Sequence, residues 1–204
     1  MNNLDKIYNN NNDIKSFYVG YINYLKQILD SVSLEEIEVF FKALISARNL
    51  GKQIFFIGNG GSASTSSHFA NDLSIGAKSH EKPFRAISLC DNVAVISAIA
   101  NDYGYEKIFS EQLRVLMNHG DLVVAISASG NSPNLIEAVK YANANNALTF
   151  AITAFDGGEL KKLASNSLHV KTDHKEYGPA EDIHMIFDHL FSSFINRLIN
   201  HKDD

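Results

Sequence analysis

The sequence predicts an α/β protein, a three-layer α-β-α sandwich on a five-stranded parallel sheet, with extra helices at its amino end. Five short, nearly continuous apolar runs carry that expectation, together with the helical stretches that separate them. A strand that is apolar along its whole length has both faces covered, and helices alternating with such strands cover a parallel sheet. The loops give a second indication. Gly and Ser cluster directly after the first and third runs, at the strand ends where such sheets place their ligands.

In chain order, the Asn-rich residues 1–12 have little to bury and are expected to form a disordered tail. From Asp13 the pattern becomes helical: Ile14, Phe17, Tyr21, Ile22, Leu25, Ile28 and Leu29 recur on one face through Asp30. Ser33 with Glu36 three residues on reads as a capping box that opens a second helix, ending near Arg48. The strands follow as QIFFI (53–57), FRAISL (84–89), DLVVAI (121–126), LTFAIT (148–153) and SLHV (167–170). Helices are expected at 64–76, 91–100, 106–118, 132–145, 158–164 and 180–201, with Pro133 suited to a first helical turn. Residues 13–204, including helices over 13–49, make one domain.

Composition narrows the function. With a formal charge of -5 the chain lacks the basic excess that nucleic acid or an anionic membrane would require. Its single cysteine, Cys90, permits no intramolecular disulfide and reads as a small buried residue at a strand end. The amino terminus lacks the cationic and apolar regions of a signal peptide, and no apolar run is long enough to span a bilayer. A cytoplasmic protein without membrane or nucleic-acid partners is expected.

The two loops point to a phosphorylated small molecule. Gly58-Asn59-Gly60-Gly61-Ser62-Ala63-Ser64 follows the first strand, and Ser127-Ala128-Ser129-Gly130-Asn131-Ser132-Pro133 follows the third. Each joins glycines that let backbone approach a ligand, hydroxyl donors, and a helix amino end that favours an anion. Gly58, Gly60 and Ala63 also fit a dinucleotide spacing, but no acidic residue closes a strand about twenty positions on, so no nucleotide cofactor is expected.

Chemistry at such a site needs acid–base groups. His68 and Asp72 stand one turn apart on the helix after the first loop, while Glu181, His184 and Asp188 line one side of the last helix with His189 on the adjacent flank. Imidazole and carboxylate together serve proton transfer near neutral pH, and borderline metals accept the same groups. Spacing alone leaves open which of these meet. His80, His119, His169, His174 and His201 show no partner pattern and are expected at the surface, and Lys161 and Lys162 beside Glu159 on a solvated helix face.

The stretches GNGGSAS and HFANDL, AIANDYGYE at 98–106, SASGNSPN at 127–134, FDGGELKKLA at 155–164 and EDIHMIFDHL at 181–190 resemble, in order and spacing, the sugar-isomerase (SIS) domain family and within it the phosphoheptose isomerases. The resemblance covers nearly the whole chain beyond the tail. It implies a flavodoxin-like sheet, a homotetramer with active sites between subunits, and interconversion of sedoheptulose 7-phosphate with the aldose D-glycero-D-manno-heptose 7-phosphate, on the way to lipopolysaccharide cores and related surface glycans. The amphipathic helix over 14–29 would then pack against another subunit or the sheet's helices.

Carried onto this sequence, the implied substrate contacts are Asn59, Gly60 and Gly61 with Ser62 beside them, then Asn101, Asp102, Ser127, Ala128 where the family has Thr, Ser129, Ser132 and Glu181. The family's zinc ligands map to His68, Asp72, Glu181 and His189, one ion per subunit, and its catalytic pair to Asp72 and His189. Two positions depart from the family pattern: Asp72 stands for a Glu, and Glu181 for a Gln. A shift of about 1 Å in a catalytic group costs on the order of a hundredfold, and the added carboxylate of Glu181 is expected to compensate as base or ligand. Two other functions remain beside this one: a non-catalytic sugar-phosphate regulator or replication-initiator partner, and an isomerase of another sugar phosphate. His68 and His189, kept with acidic partners, favour catalysis.

Overall fold

Side chains alternate along the strands and split the interior into two cores. β1 (Gln53–Gly58), β2 (Arg85–Ser88), β3 (Leu122–Ser127), β4 (Leu148–Thr153) and β5 (Asn166–His169) pair in parallel in the order β2-β1-β3-β4-β5. Ile54, Phe56, Leu122, Val124, Phe150 and Ile152 point into one core, and Phe55, Ile57, Val123, Ala125 and Ala151 into the other. That period of two, with both sets apolar, is why the strands read as unbroken hydrophobic runs. The computed structural model describes residues 1–10, 13–78 and 81–200. Residues 11 and 12 of the expected tail, His80, His201 and the last residue of the final expected helix lie outside them.

The first face is covered from the amino end. The expected tail instead carries a helix, α1 (Asn3–Asn10). Composition misses it because its polar groups are satisfied by tertiary partners: the Asn3 amide donates to the Tyr24 hydroxyl and the Asp173 carboxylate, and the Leu4 N–H donates to Glu176 Oε1. α2 (Ile14–Asp30) is capped by Asp13, whose carboxylate accepts from the N–H groups of Lys15 and Ser16. α3 (Leu34–Asn49) starts at Ser33, which accepts from the Glu36 N–H, but the reciprocal half of the capping box does not form. Glu36 accepts instead from the backbone N–H of His169, 2.8 Å away, tying α3 to β5. Phe40 of α3 packs its ring among Phe69, Phe150 and Phe191, at centroid distances of 5.9, 4.5 and 5.0 Å.

α4 (Gly61–Asn71) begins three residues earlier than expected, so that Gly61, Ser62 and Ala63 form a helical turn in place of loop. It runs into a π-helical turn over Asp72–Gly76. α5 (Val93–Tyr103) is capped by Asn92 and buries none of its residues. The stretch expected as one helix over 106–118 divides into a 3-10 turn (Tyr105–Lys107) and α6 (Ser110–Leu116). α7 (Pro133–Ala144) has its proline in the first turn, α8 (Leu160–Leu163) is short, and α9 (Tyr177–Asn200) closes the fold. Leu113, Leu135, Ala138, Val139, Ala142 and Leu160 cover the second face, while Phe69, Ile183, Phe187, Phe191 and Ile195 from α4 and α9 cover the first. Among the described residues no helix is long and apolar enough to cross a membrane.

Candidate active site

β1 and β3 are neighbours at the centre of the sheet, and the strand order reverses there, which opens a crevice beyond their carboxyl ends. Both glycine loops lead out of it. Gly60 takes φ +53, and Gly130 takes φ +64 in a place where a Cβ would come within 2.0 Å of the Gly157 carbonyl oxygen. The 154–160 segment holds the second loop from behind: Ala154 N–H donates to Ala128 O, Leu160 N–H to Gly130 O, and Glu159 N–H to the Asn131 side chain.

Asn59 links the two loops. Its amide nitrogen donates to Asn134 Oδ1 at 2.9 Å, the Asn134 amide donates back to Asn59 Oδ1 at 2.8 Å, and the Tyr105 hydroxyl donates to the same oxygen at 3.1 Å. A cavity of about 270 Å³ lies between Asn59, Tyr105, Glu106, Ser132, Pro133 and Asn134. Asn59 and Ser132 were expected as ligand contacts; Asn134 and Tyr105 were not assigned a role. Ser132 caps α7 by backbone only, with its hydroxyl making no cap bond. Ser127 Oγ accepts from the Gly130 N–H at 3.1 Å and Ser129 Oγ from the Asn131 N–H at 3.3 Å, so these hydroxyls shape the loop itself. Asn101 and Asp102 sit exposed on the last turn of α5, bonded to each other at 2.9 Å and outside this cavity's lining.

Most other hydroxyls of α4 turn inward, Ser64 being exposed. Thr65, Ser66 and Ser67 donate to carbonyls one turn back, at Gly61, Ser62 and Ala63, and Ser62 is buried. Thr65 and Ser66 are thus engaged by the helix, while Ser67 also meets Ser88 and Asp91. The amino end of α4 has an anion of its own. Glu181 lies so close that a Cβ on Gly61 would meet its Oε2 at 2.2 Å, and burial, with Asp182 nearby, pushes its carboxyl above the usual range.

Farther along α4, a cluster of titratable groups forms against α9. His68, Asp72, Asp188 and His189 each offer a ligand atom, all within 4.8 Å of one another. His68 Nδ1 is 2.5 Å from Asp188 Oδ2 and 3.8 Å from Asp72 Oδ2, and the His68 and His189 rings meet edge-on at 5.1 Å. Asp72 opens the π-helical turn, a local widening of the helix that recurs at functional sites. Asp188 is fully buried and its Oδ1 has no hydrogen-bond partner. Burial pushes its carboxyl up to about 6, the His68 hydrogen bond opposing and the Asp72 charge adding to the rise.

Two imidazoles and the Asp72 carboxylate, with the buried Asp188 carboxylate against the His68 ring, fit a borderline divalent ion such as zinc. The cluster brings together His68, Asp72 and His189 as the resemblance implied, but not Glu181. Glu181 stands eight positions before His189 on α9, roughly 12 Å along the helix axis, and its carboxylate is at Gly61. Asp188 takes the fourth place in the cluster. His184, on the same side of α9, is buried with neither ring nitrogen in a full hydrogen bond. His169, expected at the surface, is half-buried at the end of β5, its Nδ1 3.0 Å from the Thr153 hydroxyl.

The chain is similar to known proteins over most of its length. A family model described as the SIS domain matches residues 20–154. A probable phosphoheptose isomerase of Thermoplasma acidophilum is 37% identical over 81% of this chain and 90% of its own length. A phosphoheptose isomerase of Helicobacter pylori is 34% identical over 93% of this chain and 97% of its own. The solved structure of a phosphoheptose isomerase from Francisella tularensis superposes with a TM-score of 0.81 at 26% identity, covering 97% of this chain and all of that one.

Proposed function

The chain belongs to the SIS domain family, a sugar phosphate isomerase among its phosphoheptose isomerases, and from that membership we propose that it interconverts sedoheptulose 7-phosphate and D-glycero-D-manno-heptose 7-phosphate, feeding lipopolysaccharide or related surface-glycan heptoses. One observation carries the chemistry: the same α4 that leaves the glycine loop of β1 also joins α9 in a group of two histidines and two carboxylates. Such a group supports proton transfer beside a carbonyl, and the loops at the sheet crevice support the capture of a phosphate.

The phosphate sits at the amino end of α7, with Ser129 and Ser132 as donors and Asn59 holding the two loops at a fixed separation. In the ketose-to-aldose direction a base removes a proton from C1, the C1–C2 bond passes through a cis-enediol, and a proton returns to C2 as one moves from O1 to O2. Asp72 and His189 share that work. Glu181, with its raised proton affinity, is the second carboxylate in a division of labour that the shorter Asp72 requires. His68, Asp72 and His189 would hold a divalent ion such as zinc, which when bound would stabilise the charge that develops on the sugar oxygens.

The sites lie between subunits of a homotetramer. Three features support this. α5 buries none of its residues although it reads VAVISAIA through its first two turns. Ile186, Leu190, Phe194 and Leu198 form an exposed apolar ridge along α9, flanking His189. Glu181 and His189 of one chain are too far apart along α9 to share an ion, so a site that uses both takes them from two chains.

The test is an assay of seven-carbon and six-carbon ketose phosphates with the native chain and its Asp72→Asn and Glu181→Gln variants, alongside metal analysis of chelator-free protein. Turnover of the seven-carbon sugar, reduced at least tenfold in each variant, is expected. Full activity in both variants contradicts the assignment of these carboxylates, and sugar-phosphate binding without turnover would mark a sensor in place of an enzyme.

A further inference from the structure

Asp188 is the residue of the cluster that neither the loop motifs nor the implied zinc ligands account for. It is 0% exposed, while the His68 side chain above it is 42% exposed and that of Asp72 is 23%. Its Oδ2 meets His68 Nδ1 at 2.5 Å, and no Lys or Arg pairs with it among the described residues. A carboxylate placed there costs the fold free energy unless something outside the core compensates it.

We propose that Asp188 is a positioning residue: it accepts the proton-bearing Nδ1 of His68 from below and so turns Nε2 outward as the atom that faces the metal. The inference rests on the metal reading given above. A neutral imidazole that donates through one nitrogen offers the lone pair of the other, and a carboxylate 2.5 Å from Nδ1 favours the Nδ1–H tautomer and holds the direction of the ring. Asp188 is buried beneath a ring whose side chain is 42% exposed, while Asp72 Oδ2 stands 3.8 Å from the same Nδ1, so the nitrogen left free by Asp188 is the one on the exposed side. Asp188 thus acts through His68, and the ion keeps His68, Asp72 and His189 as its protein ligands from this chain. Oδ1, without a hydrogen-bond partner, is the cost of that arrangement.

Two consequences separate this role from an ordinary packing role. Removing the carboxylate weakens metal binding, and it leaves the metal-free fold as stable as before or more so, because a buried polar atom without a partner is gone. A packing residue would instead weaken the fold itself.

The full-length chain is stripped of metal, and the His68 tautomer is read by nitrogen-15 NMR at mildly alkaline pH in the native protein, in Asp188→Asn and in Asp188→Leu. Zinc affinity is measured by competition with a chromophoric chelator, zinc coordination by X-ray absorption, and metal-free stability by urea titration. Expected are an Nδ1–H tautomer in the native protein, its loss in Asp188→Leu, and a fall in zinc affinity of roughly 10–100-fold in that variant, smaller in Asp188→Asn, whose amide oxygen can still accept. The count of oxygen ligands on zinc stays the same in Asp188→Asn, and urea resistance without metal is kept in both. An Nε2–H tautomer in the native protein, unchanged zinc affinity in both variants, loss of an oxygen ligand in Asp188→Asn, or metal-free unfolding at lower urea in both would each overturn the proposal. Failure of the metal reading itself shows separately, as a native chain that binds no zinc, since the tautomer is read without any ion.

Discussion

Asn59 and Asn134, 75 positions apart in sequence, hold each other through both side-chain amides at 2.9 and 2.8 Å. The pair fastens the loop after β1 to the first turn of α7 across the sheet crevice. Asn134 is 2% exposed, so its loss leaves the Asn59 amide half-satisfied in a part-buried place. Asn134→Leu is therefore expected to cost about 1–3 kcal/mol of stability. In the assay it should raise KM for the sugar phosphate more than it lowers kcat, because the pair fixes the binding loops and touches no reacting carbon. Urea titration and steady-state kinetics check the two halves.

Glycine at 130 is required twice over, by φ +64 and by the Gly157 carbonyl 2.0 Å from where a Cβ would be. Gly51 has the same φ, +64, with nothing within 4 Å of the added atom. Gly51→Ala should thus cost only the left-handed backbone strain, about 1 kcal/mol. Gly130→Ala must also displace the 157–158 backbone, and should cost more than Gly51→Ala and raise KM as Ser129 and Ser132 move. Equal stability losses in the two variants would contradict the close approach of the loops.

Acid should unfold the chain partly through His184. Its complete burial lowers its pKa from 6.5 to about 4, a contact with the Thr153 backbone offsetting part of the fall. The unfolded chain takes up this proton below its ordinary value of 6.5 while the folded one refuses it until about 4. Stability from this group is therefore complete above pH 6.5 and drains away as the pH falls toward 4, by about 3 kcal/mol in all. The difference in urea midpoint between the native chain and His184→Leu, followed across that range, should shift in favour of the variant as the solution is acidified.

Chelation should silence the enzyme without unfolding it. The residues of the metal cluster project from α4 and α9, whose buried faces are already joined to the first core through Phe69, Phe187 and Phe191. A strong chelator is expected to remove activity at least a hundredfold while circular dichroism stays unchanged, and zinc should restore the rate. Full activity after exhaustive chelation would contradict the role given to His68, Asp72 and His189.

The sheet was legible because Ile54 through Ile57, Leu122 through Ile126 and Phe150 through Ile152 serve two cores at once and so read as continuous apolar runs. α1 was hidden by its asparagines, since a partner such as Glu176, 172 positions from Leu4, cannot be read from composition. Asp188 was visible as a member of one face of α9, but a face repeats every turn. Only the packing of α4 decides that Asp188 and His189 meet His68 while Glu181, two turns earlier, meets Gly61. The π-helical turn at Asp72 has no signature in a single sequence, and neither does the mutual amide pair of Asn59 and Asn134.

The most direct measurement is the reaction of sedoheptulose 7-phosphate in heavy water, with the product read by mass spectrometry and proton NMR. Isomerisation by proton transfer through a cis-enediol predicts an aldose heptose 7-phosphate carrying deuterium at C2, formed by the native chain and lost in Asp72→Asn. No aldose, or an aldose formed as fast by Asp72→Asn as by the native chain, would contradict it.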